Sequence, residues 1–154
     1  MDTRPILLVE DNLDDVELTL RALQKNQIPN ELVVAQSGME ALKFLFEGRR
    51  LEGGRVRLDP SIVLLDLKLP DIDGFEVLSR MRSDDKTKLI PVVVLTSSKE
   101  ESDLLRAYSL GANSYVRKPV DFRKFLLTVQ LLGNYWLDLN EPISTKEEGE
   151  WTDS

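Results

Sequence analysis

A chain of 154 residues with 42% apolar and 31% charged side chains has the composition of one folded domain, neither disordered nor membrane-embedded. Cysteine and histidine are both absent, which excludes disulfides, thiolate or imidazole metal sites, a histidine-based triad and any relay through a phosphohistidine on this chain. The formal net charge of −7 argues against nucleic acid as the partner, because binding to a phosphate backbone is driven by Lys and Arg.

Met1-Asp2-Thr3-Arg4-Pro5 carries no charged-then-apolar leader and runs into Ile6-Leu7-Leu8-Val9, apolar on both faces as in a strand buried inside a parallel sheet. No apolar run approaches the roughly 20 residues of a membrane helix, so the expected location is the cytoplasm, with no membrane partner. Leu13, Val16, Leu20 and Leu23 recur at three- and four-residue steps and predict a first helix, stopped by Ile28-Pro29-Asn30. Leu32-Val33-Val34-Ala35 reads as a shorter second strand. Ser37-Gly38-Met39-Glu40 has capping-box spacing ahead of Ala41, Leu42 and Leu45. Gly48 through Pro60, with Gly53-Gly54, reads as a loop in which Arg49, Arg50, Arg55 and Arg57 are solvated charges. Ile62-Val63-Leu64-Leu65 is the third strand, and Asp73 is expected to cap a helix that starts at Gly74 and runs through Phe75, Val77, Leu78 and Met81.

Val92-Val93-Val94-Leu95 is the fourth strand, and Ser98-Lys99-Glu100-Glu101 is a second capping-box pattern before Leu104, Leu105 and Tyr108. Ser114-Tyr115-Val116-Arg117, more polar than the others, is expected at a sheet edge. Asp121 caps a last helix with the stripe Phe122, Phe125, Leu126, Val129 and Leu132. Tyr135, Trp136 and Leu137 prolong it and either fold back on the core or expose a large apolar area. A homodimer or partner contact is expected there, through the fourth and fifth helices with Tyr135 and Trp136. The domain should span residues 5–139, with 140–154 as a polar, acidic tail.

Strand and helix thus alternate five times, which implies parallel strands, right-handed crossovers and helices on both faces. In a doubly wound sheet, ligands gather beyond the carboxyl ends of the strands. At those ends stand Glu10 and Asp11, Asp66, Thr96, and Lys118-Pro119. Crowded carboxylates repel one another unless a cation compensates them. Mg2+ suits such a set, being a hard ion that takes one or two carboxylates and leaves positions for phosphate oxygens. An ionised Asp66 is then a nucleophile toward phosphorus, with Thr96 and Lys118 placed to hold phosphoryl oxygens. Asp14 and Asp15 read as first-turn carboxylates favoured by the helix dipole and stay outside this set.

Val9-Glu10-Asp11-Asn12, Leu65-Asp66-Leu67-Lys68-Leu69-Pro70, Asp73-Gly74, Leu95-Thr96-Ser97 and Lys118-Pro119 jointly resemble, over residues 5–133, the receiver-domain motifs of bacterial two-component response regulators. The resemblance implies a flavodoxin-like (βα)5 α/β fold whose parallel five-stranded sheet has the order 2-1-3-4-5. It implies Asp66 as phosphoacceptor, Asp11 as a direct Mg2+ ligand, Glu10 as an outer or water-mediated acid, and the backbone carbonyl of Lys68 as a further ligand. Thr96 and Tyr115 would be the switch residues, Lys118 the phosphate-pairing ammonium, and Lys118-Pro119 a cis peptide. A sensor histidine kinase would be the donor, with output by protein contact and no enzymatic turnover beyond self-catalysed phosphotransfer and slow autodephosphorylation.

Asn12-Leu13-Asp14-Asp15, the long segment from Gly48, Asn113-Ser114-Tyr115-Val116 and the ending from Leu132 to Pro142 are similar to small stand-alone regulators that serve phytochromes and related sensor kinases. That implies a phytochrome-type kinase and no attached DNA-binding domain. Glu10 stands where the family more often has Asp, and Lys68 places a second cation two residues past the acceptor, with a bearing on phosphate lifetime.

Two other functions compete. A phosphohydrolase of the haloacid-dehalogenase type needs a second carboxylate two residues after its nucleophile, where this chain has Lys68. A pseudo-receiver serving only as a scaffold normally lacks an acceptor or a ligand, and here none is missing. A dinucleotide site fails because Glu10-Asp11-Asn12 occupies the place of the glycine-rich turn.

Overall fold

The structure, a computed structural model, describes residues 2–143. Five strands, β1 (Ile6–Val9), β2 (Leu32–Ala35), β5 (Ile62–Leu65), β6 (Val92–Thr96) and β7 (Ser114–Arg117), form one sheet in the order β2-β1-β5-β6-β7. Every pairing in it is parallel. Counting only these strands, the order is the expected 2-1-3-4-5, and β7 is indeed at an edge. The helices are α1 (Leu13–Lys25), α2 (Gly38–Phe46), α3 (Gly74–Arg82), α4 (Glu101–Ser109) and α5 (Phe122–Gly133), which continues into a π-helical segment, Asn134–Leu139. Among the described residues no helix is long and apolar enough to cross a membrane.

The side-chain alternation of a strand explains why β1, β5 and β6 are apolar throughout. Leu7, Val9, Val63, Leu65, Val92 and Val94 face one way, onto Leu42 and Leu45 of α2, Phe75, Leu78 and Met81 of α3, and Ala107 of α4. Ile6, Leu8, Ile62, Leu64, Val93 and Leu95 face the other way, onto Ala22 and Leu23 of α1, Phe125 and Val129 of α5, and Leu137. Each such side chain contributes about 1.5–3 kcal/mol when fully buried. The sheet is thus clamped from both sides, and its strand ends are held in fixed register.

The observed elements depart from the sequence reading in four places. The segment from Gly48 to Pro60 contains an antiparallel hairpin, β3 (Arg49–Leu51) with β4 (Gly54–Val56), in which Leu51 pairs with Gly54 across Glu52-Gly53. Positive φ values of 93° at Gly53 and 124° at Gly54 make this tight turn feasible. The buried stripe of α1 is Thr19, Ala22 and Leu23, whereas Leu13 and Leu20 are exposed. Helix α4 begins at Glu101 without a side-chain cap, because the Ser98 hydroxyl donates to the Asp103 carboxylate at 2.6 Å instead of closing a capping box. No peptide bond among the described residues is cis, so Lys118–Pro119 has the trans form that even prolyl bonds favour.

At the carboxyl end of the chain, Leu137 is buried and Trp136 packs against the α1–α5 core, while Tyr135 and Leu139 are exposed. Leu137 O accepts a 2.7 Å hydrogen bond from Asp2 N, tying the two ends of the described chain together. Residues 144–154, most of the expected tail, lie outside the described residues.

Candidate functional site

The register of the sheet assembles the site. Val9 of β1 pairs with Leu65 of β5, so the residues that follow, Glu10 and Asp66, emerge side by side, joined by Asp66 N donating to Val9 O at 3.1 Å. Thr96 pairs with Arg117, and Lys118 N donates to Thr96 O at 2.8 Å, which brings Lys118 to the same end of the sheet. One carboxylate oxygen each from Glu10, Asp11 and Asp66 lie within 4.8 Å of one another. Glu10 is 2% exposed and Asp11 is open to solvent; the Asp66 side chain, 12% exposed, is not sealed in the core.

A single ammonium crosses this acidic cluster. Lys118 Nζ donates to Glu10 Oε1, to Asp66 Oδ2 at 3.2 Å, and to Asp15 Oδ2 at 2.9 Å. The other Asp66 oxygen accepts from Leu67 N at 2.7 Å, and Glu10 Oε2 accepts from Asn12 N at 3.2 Å. Burial is the main force raising the Glu10 carboxyl to about 7, with the neighbouring Asp66 charge adding to it, while Lys118 pulls the other way. Burial opposes the charge on Lys118, but its bonds to Glu10 and Asp15 and the charge of Asp66 outweigh burial and hold the ammonium well above the usual lysine range.

Glycine makes the close approach behind Asp66 feasible. A Cβ on Gly74 would lie 2.3 Å from Asp66 O, and Gly74 N donates to Leu67 O at 2.9 Å. Asp73 caps α3 through Glu76 N at 2.9 Å, as its place in the sequence suggests. The loop between Asp66 and Asp73 is also tied to α2: Asp71 accepts from Gly38 N at 2.9 Å and Met39 N at 3.0 Å, joining the expected Ser37 cap on Glu40 N at 3.1 Å. Apart from Ile72 N at 2.7 Å, these partners lie more than thirty positions away, so no local motif announces the contact of Asp71 with α2.

The expected site residues separate into two groups. Glu10, Asp11, Asp66 and Lys118 meet directly. Thr96 is fully buried at the end of β6, its hydroxyl accepting from Ser98 N at 3.3 Å. Tyr115 pairs with Val94, two residues before Thr96, so both side chains lie on the sheet face toward α2, α3 and α4. The Tyr115 hydroxyl is buried without a hydrogen-bond partner among the described residues. Lys68, in the loop that follows β5, is exposed. Asp15, set aside in the sequence reading, belongs to the cluster. No local pattern marked it, because its partner Lys118 lies 103 positions along the chain and a helix first turn accounts for an aspartate there by itself.

Three oxygen donors of like charge beside one ammonium fit a hard divalent cation better than a soft one. As an arrangement it offers a carboxylate, Asp66, held between the Glu10 and Asp11 carboxylates and a fixed positive charge, with the chemistry of a nucleophile open to it.

The chain matches the model of the response regulator receiver domain over residues 6–130. It is 43% identical over 135 residues to the probable methanogenesis regulatory protein FilR2 of Methanothrix harundinacea, covering 88% of this chain and 84% of that one. Response regulator Rcp1 of Synechocystis is 37% identical over 133 residues, 86% of this chain and 88% of its own. The Mn2+-bound structure of Rcp1 superposes with a TM-score of 0.81 over 92% of this chain and 99% of that one, at 35% identity. The phosphorylated cyanobacterial phytochrome response regulator RcpA superposes with a TM-score of 0.83 at 36% identity, again over 92% and 99%. With the receiver motifs, the sheet order and this family match in agreement, the chain belongs to the response regulator receiver domain family.

Proposed function

We propose that the chain is a phosphorylation switch in which Asp66 accepts a phosphoryl group from a sensor histidine kinase and passes the signal on by protein contact. The observation that carries this reading is the bonding of Lys118 Nζ to Asp66 and Glu10 beside Asp11, which sets one ammonium against a carboxylate cluster at the strand ends. Glu10, Asp11 and Asp66, with the backbone carbonyl of Lys68, would hold Mg2+. When bound, that ion supplies positive charge to the oxygens of the transferring group. The chain's own residues do the rest. Asp66 provides the attacking oxygen, held beside Lys118; Lys118 and the Thr96 hydroxyl receive phosphoryl oxygens; Tyr115, on the same sheet face as Thr96, relays the change toward α4.

RcpA is a phytochrome response regulator, which supports a phytochrome-type kinase as donor here; the proposed setting is the cytoplasm. The reaction is stoichiometric self-phosphorylation with slow hydrolysis rather than turnover. Exposed Leu105 and Tyr108 on α4, Leu127 and Leu131 on α5 and Tyr135 just after it support a partner surface or homodimer through α4 and α5. Trp136 packs inward and contributes less than its place in the sequence suggests.

The test is intact mass after incubation with acetyl phosphate or phosphoramidate and Mg2+. The wild-type chain should gain one phosphate and Asp66→Asn none. An unmodified wild-type chain, or equal modification of both, overturns the reading.

A further inference from the structure

Asp15 stands in the first turn of α1, yet it does not serve the helix end. The Asp14 and Asp15 amides are already satisfied by Asn12 Oδ1, at 2.9 and 3.1 Å. Its carboxylate instead accepts from Lys118 Nζ at 2.9 Å, across 103 positions of sequence. An ammonium has three N–H donors. Those of Lys118 go to Glu10, Asp66 and Asp15, and the lysine side chain is only 12% exposed. A phosphoryl oxygen arriving at Asp66 therefore finds every Lys118 donor engaged, and one carboxylate has to yield. Asp66 is the acceptor itself, and Glu10, with its side chain 2% exposed, has no water to turn to. Asp15, 34% exposed, is the partner that solvent can take back.

We propose that Asp15 is a positioning residue for Lys118: it holds the ammonium over Asp66 before phosphorylation and yields its place to a phosphoryl oxygen. The inference rests on Asp66 being the phosphoacceptor. In transfer from acetyl phosphate, an oxygen of the ionised Asp66 carboxylate bonds to phosphorus as the phosphorus–oxygen bond to the acetyl group breaks. Acetate leaves with that electron pair, and no proton is required from Asp66. Each such event exchanges the Asp15–Lys118 ion pair for a phosphoryl–Lys118 pair, and returns the Asp15 carboxylate to water. Asp15 thus competes with the incoming group for the same donor, and its negative charge stands near that of the phosphodonor.

The experiment compares wild-type, Asp15→Asn, Asp15→Glu and, as a surface control, Asp14→Asn. The Lys118 ammonium is first observed by NMR in metal-free protein. Its signal should be protected from solvent exchange in wild-type, Asp15→Glu and Asp14→Asn and lose protection in Asp15→Asn. Phosphorylation by acetyl phosphate should then be roughly twofold to fivefold faster in Asp15→Asn, the range open to a partly exposed ion pair, and near the wild-type rate in Asp15→Glu and Asp14→Asn. Unchanged ammonium protection, or a rate in Asp15→Asn equal to or slower than wild-type, overturns the proposal. So does an Asp15→Glu variant that behaves as Asp15→Asn does. A purely structural role would lower the thermal midpoint of both variants without separating their rates, and counts against it too. Failure of wild-type to take up phosphate at all defeats the reading of Asp66 instead, and leaves the metal-free ammonium signal as an independent measure of the Asp15–Lys118 bond.

Discussion

At the scale of single residues, Glu10 carries a charge in the least favourable surroundings. Buried, and next to Asp66, its carboxyl titrates near 7 instead of its ordinary 4.5. The folded chain therefore binds this proton more tightly than the unfolded chain does. The stability so gained is complete below about pH 4.5 and is lost as pH rises through about 7. Urea unfolding of metal-free protein should accordingly show stability falling between about pH 5 and about pH 8, and Glu10→Gln should flatten that slope. Divalent-cation affinity should run the other way, rising over the same interval as the proton leaves. Glu10, Asp11 and Asp66 were legible in sequence because each follows a strand whose apolar run marks its carboxyl end, and Lys118 because it stands before Pro119 after the weaker, more polar last strand. Asp15 and Asp71 were not. Both act on partners far along the chain, and the local patterns around them, a helix first turn and a turn after Pro70, explain their presence without any such contact.

At the scale of elements, the strands and helices that pack on the sheet were readable and the hairpin was not. Strands β3 and β4 are almost wholly exposed and rich in arginine, so neither alternation nor an apolar run betrays them; only Gly53-Gly54 hinted at a turn. The stripe of α1 was misassigned because small Ala22 and polar Thr19 fill the crowded side, leaving the larger Leu13 and Leu20 outside. The end of α1 carries a further device. Ile28 N bonds to Leu23 O at 3.0 Å and Gln27 N to Gln24 O at 3.1 Å, the two bonds of a Schellman motif. Gln27 occupies the left-handed position, with φ of 56°, where glycine is the favoured residue. Gln27→Gly should therefore stabilise the fold by about 0.5–1 kcal/mol, the relief of left-handed strain less the entropy of an added glycine. Chemical denaturation reads it as a higher midpoint at constant slope.

At the scale of the whole molecule, the β-α alternation and the two-sided core were legible because a parallel sheet covered on both faces imposes apolar runs that nothing else in a chain of this size requires. The two helices that follow β5 and β6 show how unevenly that core is shared. Each has nine residues, but α3 buries five of them and is capped by Asp73, whereas α4 buries only Ala107 and has no side-chain cap. Amide exchange in the native state should be at least roughly tenfold faster in α4 than in α3.

The seven-residue loop that leaves Asp66 is pinned by Asp71 against α2 and by Gly74 against the strand end. That pinning sets the direction in which the molecule gives way. Under the proposed phosphorylation, a push originating at Asp66 would meet a rigid wall on one flank and a compliant lever on the other, and displacement would be channelled toward α4. A reader protein that grips the α2–α3 flank would be deaf to the state of Asp66, and one that grips α4 would hear it.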